Sequence, residues 1–416
     1  MKRINLIILY LFPLVLFQFY SYVGFSQFVV KLLSFVSVPL LLIYVSDVLF
    51  QQNNTTRYFK IMRWIFFSTI LSMFMAWIFW GQSIVLGYRV TAGMLGLIYF
   101  FFLCKVKPSI KELERMIWIF SFVYILLWLY GMSKAPQLIF GFDSDRELDD
   151  SRGIFRLIIV GKSFIVAAFF LSLNKFSVLK KKKYLIFAIF FFIFIVLQVV
   201  RQIIIISFLV SLYYILRNNK RMWLYFALAF MVLSVTPQII KINDDSVLGK
   251  LIALSENQAE NQRNGDENIR VQEYKFFFAD YSKNMLTNIL GNGVAHSESS
   301  YGHYLEHVQD MKRYFLSDVG YAKMFVINGL LGLFLYFLLF VKILFQSISE
   351  NNMFAKLFMI YMIPANIAAD WYAKPDGIII ICICVYVLNM DTNTILCSKN
   401  RFDEVYNSNI LAYKAF

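Results

Sequence analysis

Cysteine and histidine are scarce in this chain of 416 residues, which contains four cysteines and three histidines. Cys382 and Cys384 stand two positions apart in an apolar run and would point to different faces of a helix. His303 and His307 have the i, i+4 spacing of helical metal ligands, but Tyr304 replaces the glutamate that follows the first histidine of a zinc protease motif. The sequence therefore predicts neither a disulfide framework nor a metal site, and we expect no cofactor.

Acidic residues are also few, with 26 Asp and Glu against 40 Lys and Arg, and the formal net charge is +14. Hydrophobic residues make up 59% of the chain and aromatic residues 19%, and the mean hydropathy is +0.62. These values exclude an ordinary soluble domain. The apolar runs lack the alternation of barrel strands, so we predict an all-α polytopic membrane protein that forms one domain over residues 1–416.

Apolar stretches long enough to be membrane spans recur along the whole chain. We predict twelve of them: Ile4–Val23, Phe28–Phe50, Ile61–Trp80, Ser83–Cys104, Leu113–Met132, Ile154–Leu173, Tyr184–Val200, Gln202–Leu216, Met222–Ile240, Val319–Phe345, Phe354–Ala369 and Gly377–Met390. The first lacks the small-residue cleavage site of a signal peptide and is interpreted as a retained helix.

Basic residues in the short loops predict the orientation. They fall on one side of the predicted spans: Lys2, Arg3, Arg57, Lys60, Arg63, Lys105, Lys107, Lys111, Lys175, Lys180 to Lys183, Arg217, Lys220 and Arg221. That side is predicted to be cytoplasmic and to hold both termini. The opposite side then receives the acidic segment 143–150 and a large loop, 241–318, between the ninth and tenth spans.

Four basic residues do not fit this bias, because they fall inside predicted spans or at their outer ends: Arg89, Arg156, Lys162 and Arg201. Charges at such positions face a protein interior or an aqueous cavity, so they are candidate contacts for a substrate. Arg156 is close enough to its span end to reach the interface by snorkelling. Arg201 falls at the tip of a hairpin formed by the seventh and eighth spans.

The large outer loop begins with a polar segment, 243–268, and continues with a stretch, 269–290, that mixes aromatic and charged residues at helical spacing. Arg270, Tyr274 and Phe278 would share one face of this helix, which suits a membrane surface. Gly291-Asn292-Gly293 then ends it.

The order of these features resembles the superfamily of O-antigen polymerases and O-antigen ligases. The resemblance covers about residues 153–340. It depends on five segments: Val200-Arg201-Gln202, Ile269-Arg270-Val271, Ile289-Leu290-Gly291-Asn292-Gly293, Ser317-Asp318-Val319-Gly320-Tyr321 and Asn328-Gly329-Leu330-Leu331-Gly332.

The resemblance implies that Arg201 and Arg270 handle a polyprenyl diphosphate-linked glycan, although each could instead pair with an acidic residue and fix the loop. A guanidinium suits a leaving diphosphate because it donates two parallel hydrogen bonds and stays charged. Tyr274 and Tyr321 are further candidate substrate contacts. The His-Asn pair of the ligases is absent, and Asp318 stands there, so Asp318 or His296 would act as general base.

The function implied is a metal-independent glycosyltransferase of the bacterial inner membrane, a polymerase of O-antigen, capsule or exopolysaccharide. Its partners would be a polyprenyl diphosphate-linked oligosaccharide, membrane lipids, a flippase and a chain-length regulator, with no nucleic acid. The acidic pair Asp143 and Asp145 could instead hold a metal, and no nucleotide-binding motif is present.

Two alternatives stay open. A ligase-type enzyme would move the finished glycan to a different acceptor. A lipid-linked oligosaccharide flippase could use the intramembrane charges as a path, although transporters usually show repeated halves, and none is seen in this sequence.

Overall fold

A computed structural model describes residues 3–17, 27–51, 56–134, 137, 139, 148–149, 156–157, 159–198, 200–218 and 268–391. Over these ranges the protein is helical, apart from a two-residue antiparallel ladder that pairs Leu148–Asp149 (β1) with Arg156–Leu157 (β2). The predicted span Met222–Ile240, the pair Asp143 and Asp145, and most of the polar segment 243–268 lie outside the described residues.

Fifteen α-helices follow one another along the described ranges. They are α1 (Arg3–Leu16), α2 (Gln27–Leu49), α3 (Phe59–Trp80), α4 (Ile84–Thr91), α5 (Ile98–Val106), α6 (Ile110–Lys134), α7 (Lys162–Leu179), α8 (Lys182–Leu197), α9 (Arg201–Asn218), α10 (Ile269–Ala279), α11 (Met285–Leu290), α12 (Ser300–Lys312), α13 (Gly320–Leu344), α14 (Met353–Ala365) and α15 (375–391).

Five helices of the described chain are long and apolar enough to cross a membrane, namely α2, α3, α6, α7 and α13, and a bent pair could make a sixth. They fit a multi-pass membrane protein. The number of twelve spans is not confirmed, since α1, α8 and α14 have only 14, 16 and 13 residues. Hydropathy alone counts the apolar flanks of such helices as part of a span.

Two predicted spans differ from the structure in shape. The stretch Ser83–Cys104 is broken, because α4 and the segment Met94–Val106 meet at 59°. The stretch Ile154–Leu173 begins too early. Gly161 has φ +119°, a conformation that a helix cannot continue through, so α7 starts at Lys162 and extends to Leu179.

The last predicted span, observed as α15, is the centre of the bundle. Its side chains from Ile378 to Leu388 are all at most 1% exposed, including Cys382 and Cys384. A helix that is apolar on every face must be covered on every face, and here the other helices cover it.

The end of α1 packs closely on Gly96. A Cβ added at Gly96 would lie 2.6 Å from Leu16 Cδ2.

Helix ends meet at two opposite ends of the bundle. At one, which we call the Asp391 end, Asn174 of α7 donates to the carbonyl of Glu350 (2.7 Å), and Asp391 accepts from Ser349 N (2.8 Å). The other, which we call the Asp370 end, contains the starts of α7, α9 and α13 and the connection between α14 and α15.

Helices α10 and α12 form a second, smaller core with the end of α3 and the start of α13. The single helix predicted over 269–290 is two helices, α10 and α11. Phe277 of α10 is fully buried, while Ile269 is 50% exposed, so one face of α10 packs on the protein. Whether the exposed face meets a membrane surface stays a prediction.

The predicted Gly291-Asn292-Gly293 turn packs against a kink inside α13. Gly329 there has φ 67° and ψ −173°, which releases the carbonyls of the preceding turn. Asn292 N donates to Val326 O (2.7 Å) and Gly293 N to Ile327 O (3.0 Å). Two glycine motifs that are about forty residues apart in sequence therefore complete each other's backbone hydrogen bonds.

Candidate functional site

The C-terminal end of α14 and the residues after it form a meeting point at the Asp370 end, which we call the 363–376 segment. Gln202 of α9 donates to Pro364 O (3.1 Å) and Ala365 O (2.9 Å). The Tyr274 hydroxyl of α10 donates to Ile367 O (2.7 Å), and the Tyr321 hydroxyl of α13 donates to Ile363 O (2.7 Å). Three helices are thus attached to one short stretch of backbone.

Both predicted arginines sit beside these attachments. Arg201 is half-buried at the first position of α9, next to Gln202, and Arg270 is exposed at the second position of α10, one turn before Tyr274. The side chain of Asn268 caps α10 by accepting from Arg270 N (3.0 Å). Both arginine-bearing helices are therefore held on the 363–376 segment, α9 through its second residue, Gln202, and α10 through Tyr274 in its middle.

The charges of Arg270 and Asp318 both shift the pKa of a buried carboxylate, that of Glu273. Glu273 is 1% exposed, and its Oε1 accepts from Phe315 N (2.8 Å). Burial raises the pKa of Glu273, the hydrogen bond from Phe315 lowers it, the charge of Asp318 raises it and that of Arg270 lowers it, with a net rise. Asp318 itself is exposed, in a short 3₁₀ turn, Leu316–Asp318.

A three-residue ion cluster completes the segment. Asp370 is 5% exposed, and its carboxylate lies 2.5 Å from Lys323 Nζ and 3.3 Å from Lys374 Nζ. Burial alone would raise the pKa of Asp370, but the charges of Lys323 and Lys374 outweigh burial and hold this pKa below its usual value. Asp370 is therefore ionised near neutral pH.

The predicted intramembrane cations Lys162 and Arg156 lie at the start of α7 and before it. Lys162 is the half-buried first residue of α7, where the neighbouring Ser163 N donates to the buried carboxylate of Asp376 (2.9 Å). Arg156 pairs with Asp149 in the two-residue ladder before α7. Arg156 therefore lies before the helix, because the apolar run starts several residues before the helix does, whereas Lys162 lies at the first position of the candidate span Lys162–Leu179.

His296 and Arg89 belong to a separate group around Gln82. His296 is 7% exposed, its N donates to Gln82 Oε1 (2.8 Å), and its Nδ1 accepts from Glu298 N (3.1 Å). Arg89 of α4 lies 3.6 Å from the Glu298 carboxylate. Across the described ranges, no hydrogen bond or ion pair joins His296 to Arg270 or Asp318, so the two candidate bases lie in different groups.

Sequence reasoning missed Glu273, Lys323, Asp370 and Lys374. A signal for two of them was present, because Asp370 and Lys374 stand at i, i+4 in the short connection between the last two predicted spans. Glu273 gave no signal of its own, since burial of one carboxylate on a mixed helix depends on its neighbours. Within the described part of the chain, no three His, Cys, Asp or Glu residues come together as metal ligands, and His303 pairs instead with Glu306 (3.3 Å).

Replacing Glu273 by glutamine should stabilise the protein at neutral pH by about 1 kcal/mol. Because folding raises the pKa of Glu273, the folded state holds the proton more tightly, and its stability falls as pH rises above the unfolded value of about 4.3. Glu273→Gln keeps the acceptor for Phe315 N but cannot ionise. Thermal unfolding of the purified protein should therefore show a benefit that grows from pH 4 to pH 7.

The matched control is Asp310→Asn, at an exposed aspartate on α12. Its thermal unfolding temperature should equal that of the wild type, within the error of the measurement, at pH 4 and at pH 7. A Glu273→Gln protein that is less stable than the wild type at pH 7 would mean that the charge of Glu273 is needed for folding.

Comparison with models of known protein families and with curated protein sequences finds no match for this chain.

Proposed function

We propose that the protein is a polysaccharide polymerase of a bacterial envelope. It would transfer a glycan from a polyprenyl diphosphate carrier to a sugar hydroxyl of another lipid-linked repeat unit. The reacting groups would meet at the Asp370 end, facing the periplasm or the cell exterior, with both chain termini on the cytoplasmic side.

One observation carries the proposal. The residue after Arg201 and the residue one turn after Arg270 are hydrogen-bonded to carbonyls of the same stretch, 364–367. The resemblance to O-antigen polymerases and ligases points to these two arginines, and they are far apart in sequence. Their attachment to a single segment supports a shared role with one anionic substrate.

In the proposed step, the acceptor hydroxyl oxygen forms a bond to the anomeric carbon of the donor glycan. The bond between that carbon and the diphosphate oxygen breaks, and its electron pair stays on the diphosphate. The departing carrier gains one negative charge, which fixed guanidinium groups stabilise more in the transition state than in the ground state.

The proton of the acceptor hydroxyl needs a base, and the geometry favours Asp318 over His296. Asp318 is exposed, and its charge, like that of Arg270, affects the pKa of the nearby Glu273. His296 is nearly buried, and its Nδ1 already accepts a backbone hydrogen bond. His296 is therefore better suited to holding the 291–300 loop on the end of α3, where Ser300 Oγ also donates to Trp80 O (2.7 Å).

The deciding experiment is a gel of glycan lengths from a strain that lacks the gene. A polymerase predicts single repeat units that reach their final acceptor but are not extended. A ligase predicts long glycan that stays on the lipid carrier. Loss of lipid-linked repeats from the outer leaflet would indicate a flippase, and either of the last two results would overturn the proposal.

A further inference from the structure

The ion cluster around Asp370 contains two positive charges and one negative charge. Two ammonium groups, those of Lys323 and Lys374, share one carboxylate, so the cluster has a net charge of about +1. One lysine is enough to neutralise Asp370. The second therefore calls for another explanation.

The two lysines are not equivalent. Lys323 Nζ lies 2.5 Å from the carboxylate, and its side chain is 22% exposed. Lys374 Nζ lies 3.3 Å away, and its side chain is 46% exposed. Because the contact of Lys374 is the longer one and its side chain is the more exposed, exchanging it for another anion costs less than exchanging the contact of Lys323.

The position of Lys374 also matters. It lies in the 363–376 segment to which Gln202 of α9 and Tyr274 of α10 are hydrogen-bonded. Its ammonium stands over the Trp371 ring, 5.4 Å from the ring centre. Lys374, whose contact is the easier one to exchange, thus lies in the segment that holds both arginine-bearing helices.

The charge of the lipid carrier matches this set. A diphosphate esterified at both ends has about two negative charges and the released monoester about three, so one charge appears during the reaction. Two arginines would balance the charge of the bound donor. A third cation would balance the charge that appears as the sugar leaves.

We propose that Lys374 binds the terminal phosphate of the departing polyprenyl diphosphate, exchanging its contact with Asp370 for a phosphate oxygen, while Lys323 stays on Asp370. This inference rests on the proposed function. An ammonium group suits the role because it offers three donors on a flexible chain and can follow the moving phosphate.

The test uses the full-length protein in detergent with two probes, farnesyl diphosphate and its ester with methanol at the terminal phosphate. Lys374→Gln should lower the affinity for farnesyl diphosphate by about tenfold and the affinity for the ester by no more than about twofold, because only farnesyl diphosphate has the extra charge. Lys374→Arg should recover most of the affinity. Lys181→Gln, at an exposed lysine of the opposite end, should change neither.

Unchanged affinity of Lys374→Gln for farnesyl diphosphate, or an equal loss for both probes, would overturn the inference. Loss of binding in Arg201→Gln alone would leave the proposed function standing without Lys374. Conversely, binding that depends on Lys374 in a protein whose deletion strain still extends its glycans would keep this site and overturn the polymerase. Thermal unfolding of each variant shows whether a loss of affinity comes from misfolding.

Discussion

Replacing Arg201 by lysine should remove most long glycan from the cell while the protein stays folded in the membrane. A point charge on a flexible chain does not reproduce two parallel donors, and we expect a loss of about 3 kcal/mol of transition-state stabilisation, roughly a hundredfold in rate. Arg201 is the first residue of α9. Lysine keeps the positive charge there and is smaller than arginine, so the substitution adds no steric conflict. The length distribution of glycan in a complemented deletion strain measures the effect.

The matched control lies in the same helix. Arg217 is in the last turn of α9, at the opposite end from Arg201, and Arg217→Lys makes the same chemical change. It should leave glycan length and protein level unchanged. Full-length polymer from Arg201→Lys at a normal protein level would remove Arg201 from the mechanism.

Replacing Gly329 by alanine should destabilise the protein by about 4 kcal/mol, from backbone strain of about 1 to 3 kcal/mol and a clash of similar size. Gly329 has φ 67° and ψ −173°, a conformation that side chains oppose. An added Cβ would lie 2.3 Å from Ile289 O and 2.5 Å from Gly291 N, and both are backbone atoms that cannot move aside. The apparent melting temperature should fall by about 5 °C.

Gly87→Ala provides the comparison. Gly87 lies inside α4, where an added Cβ would meet two flexible side chains, those of Met73 at 3.0 Å and Gln82 at 3.5 Å. We expect a change of less than about 1 kcal/mol, since alanine also favours helix. A Gly329→Ala protein as stable as Gly87→Ala would mean that the Gly291-Asn292-Gly293 turn is not held on the α13 kink.

The helices of the bundle were predictable where an apolar run is long and its ends are marked by charge. Phe59–Trp80 and Gly320–Leu344 agree with their predicted spans to within two residues. The start of α7 was not, because Ile154 to Val160 are apolar enough to extend the run. Only the positive φ of Gly161 and the β pairing before it end the helix there.

The candidate site, too, was predictable from the sequence only in part. Arginines at the starts of two segments were visible in the sequence, since a charge beside a long apolar run has few places to go. Their common support was not visible, because it consists of carbonyls between Ile363 and Ile367 that any residue type could supply. Asp318 was named from the sequence, but its grouping with Arg270 and Glu273 depends on how α10 lies against α13.

The sequence by itself determined that this protein is helical, apolar enough for several membrane crossings and punctuated by glycines at fixed places, because periodicity and glycine are local properties. Only the tertiary structure decided that α15 lies in the centre, that the Gly291 turn closes the Gly329 kink, and that Gln202 and Tyr274 attach the two arginine helices to the segment that contains Asp370 and Lys374. Hydrogen bonds to backbone carbonyls and the burial of single carboxylates are set by neighbours far away in the chain.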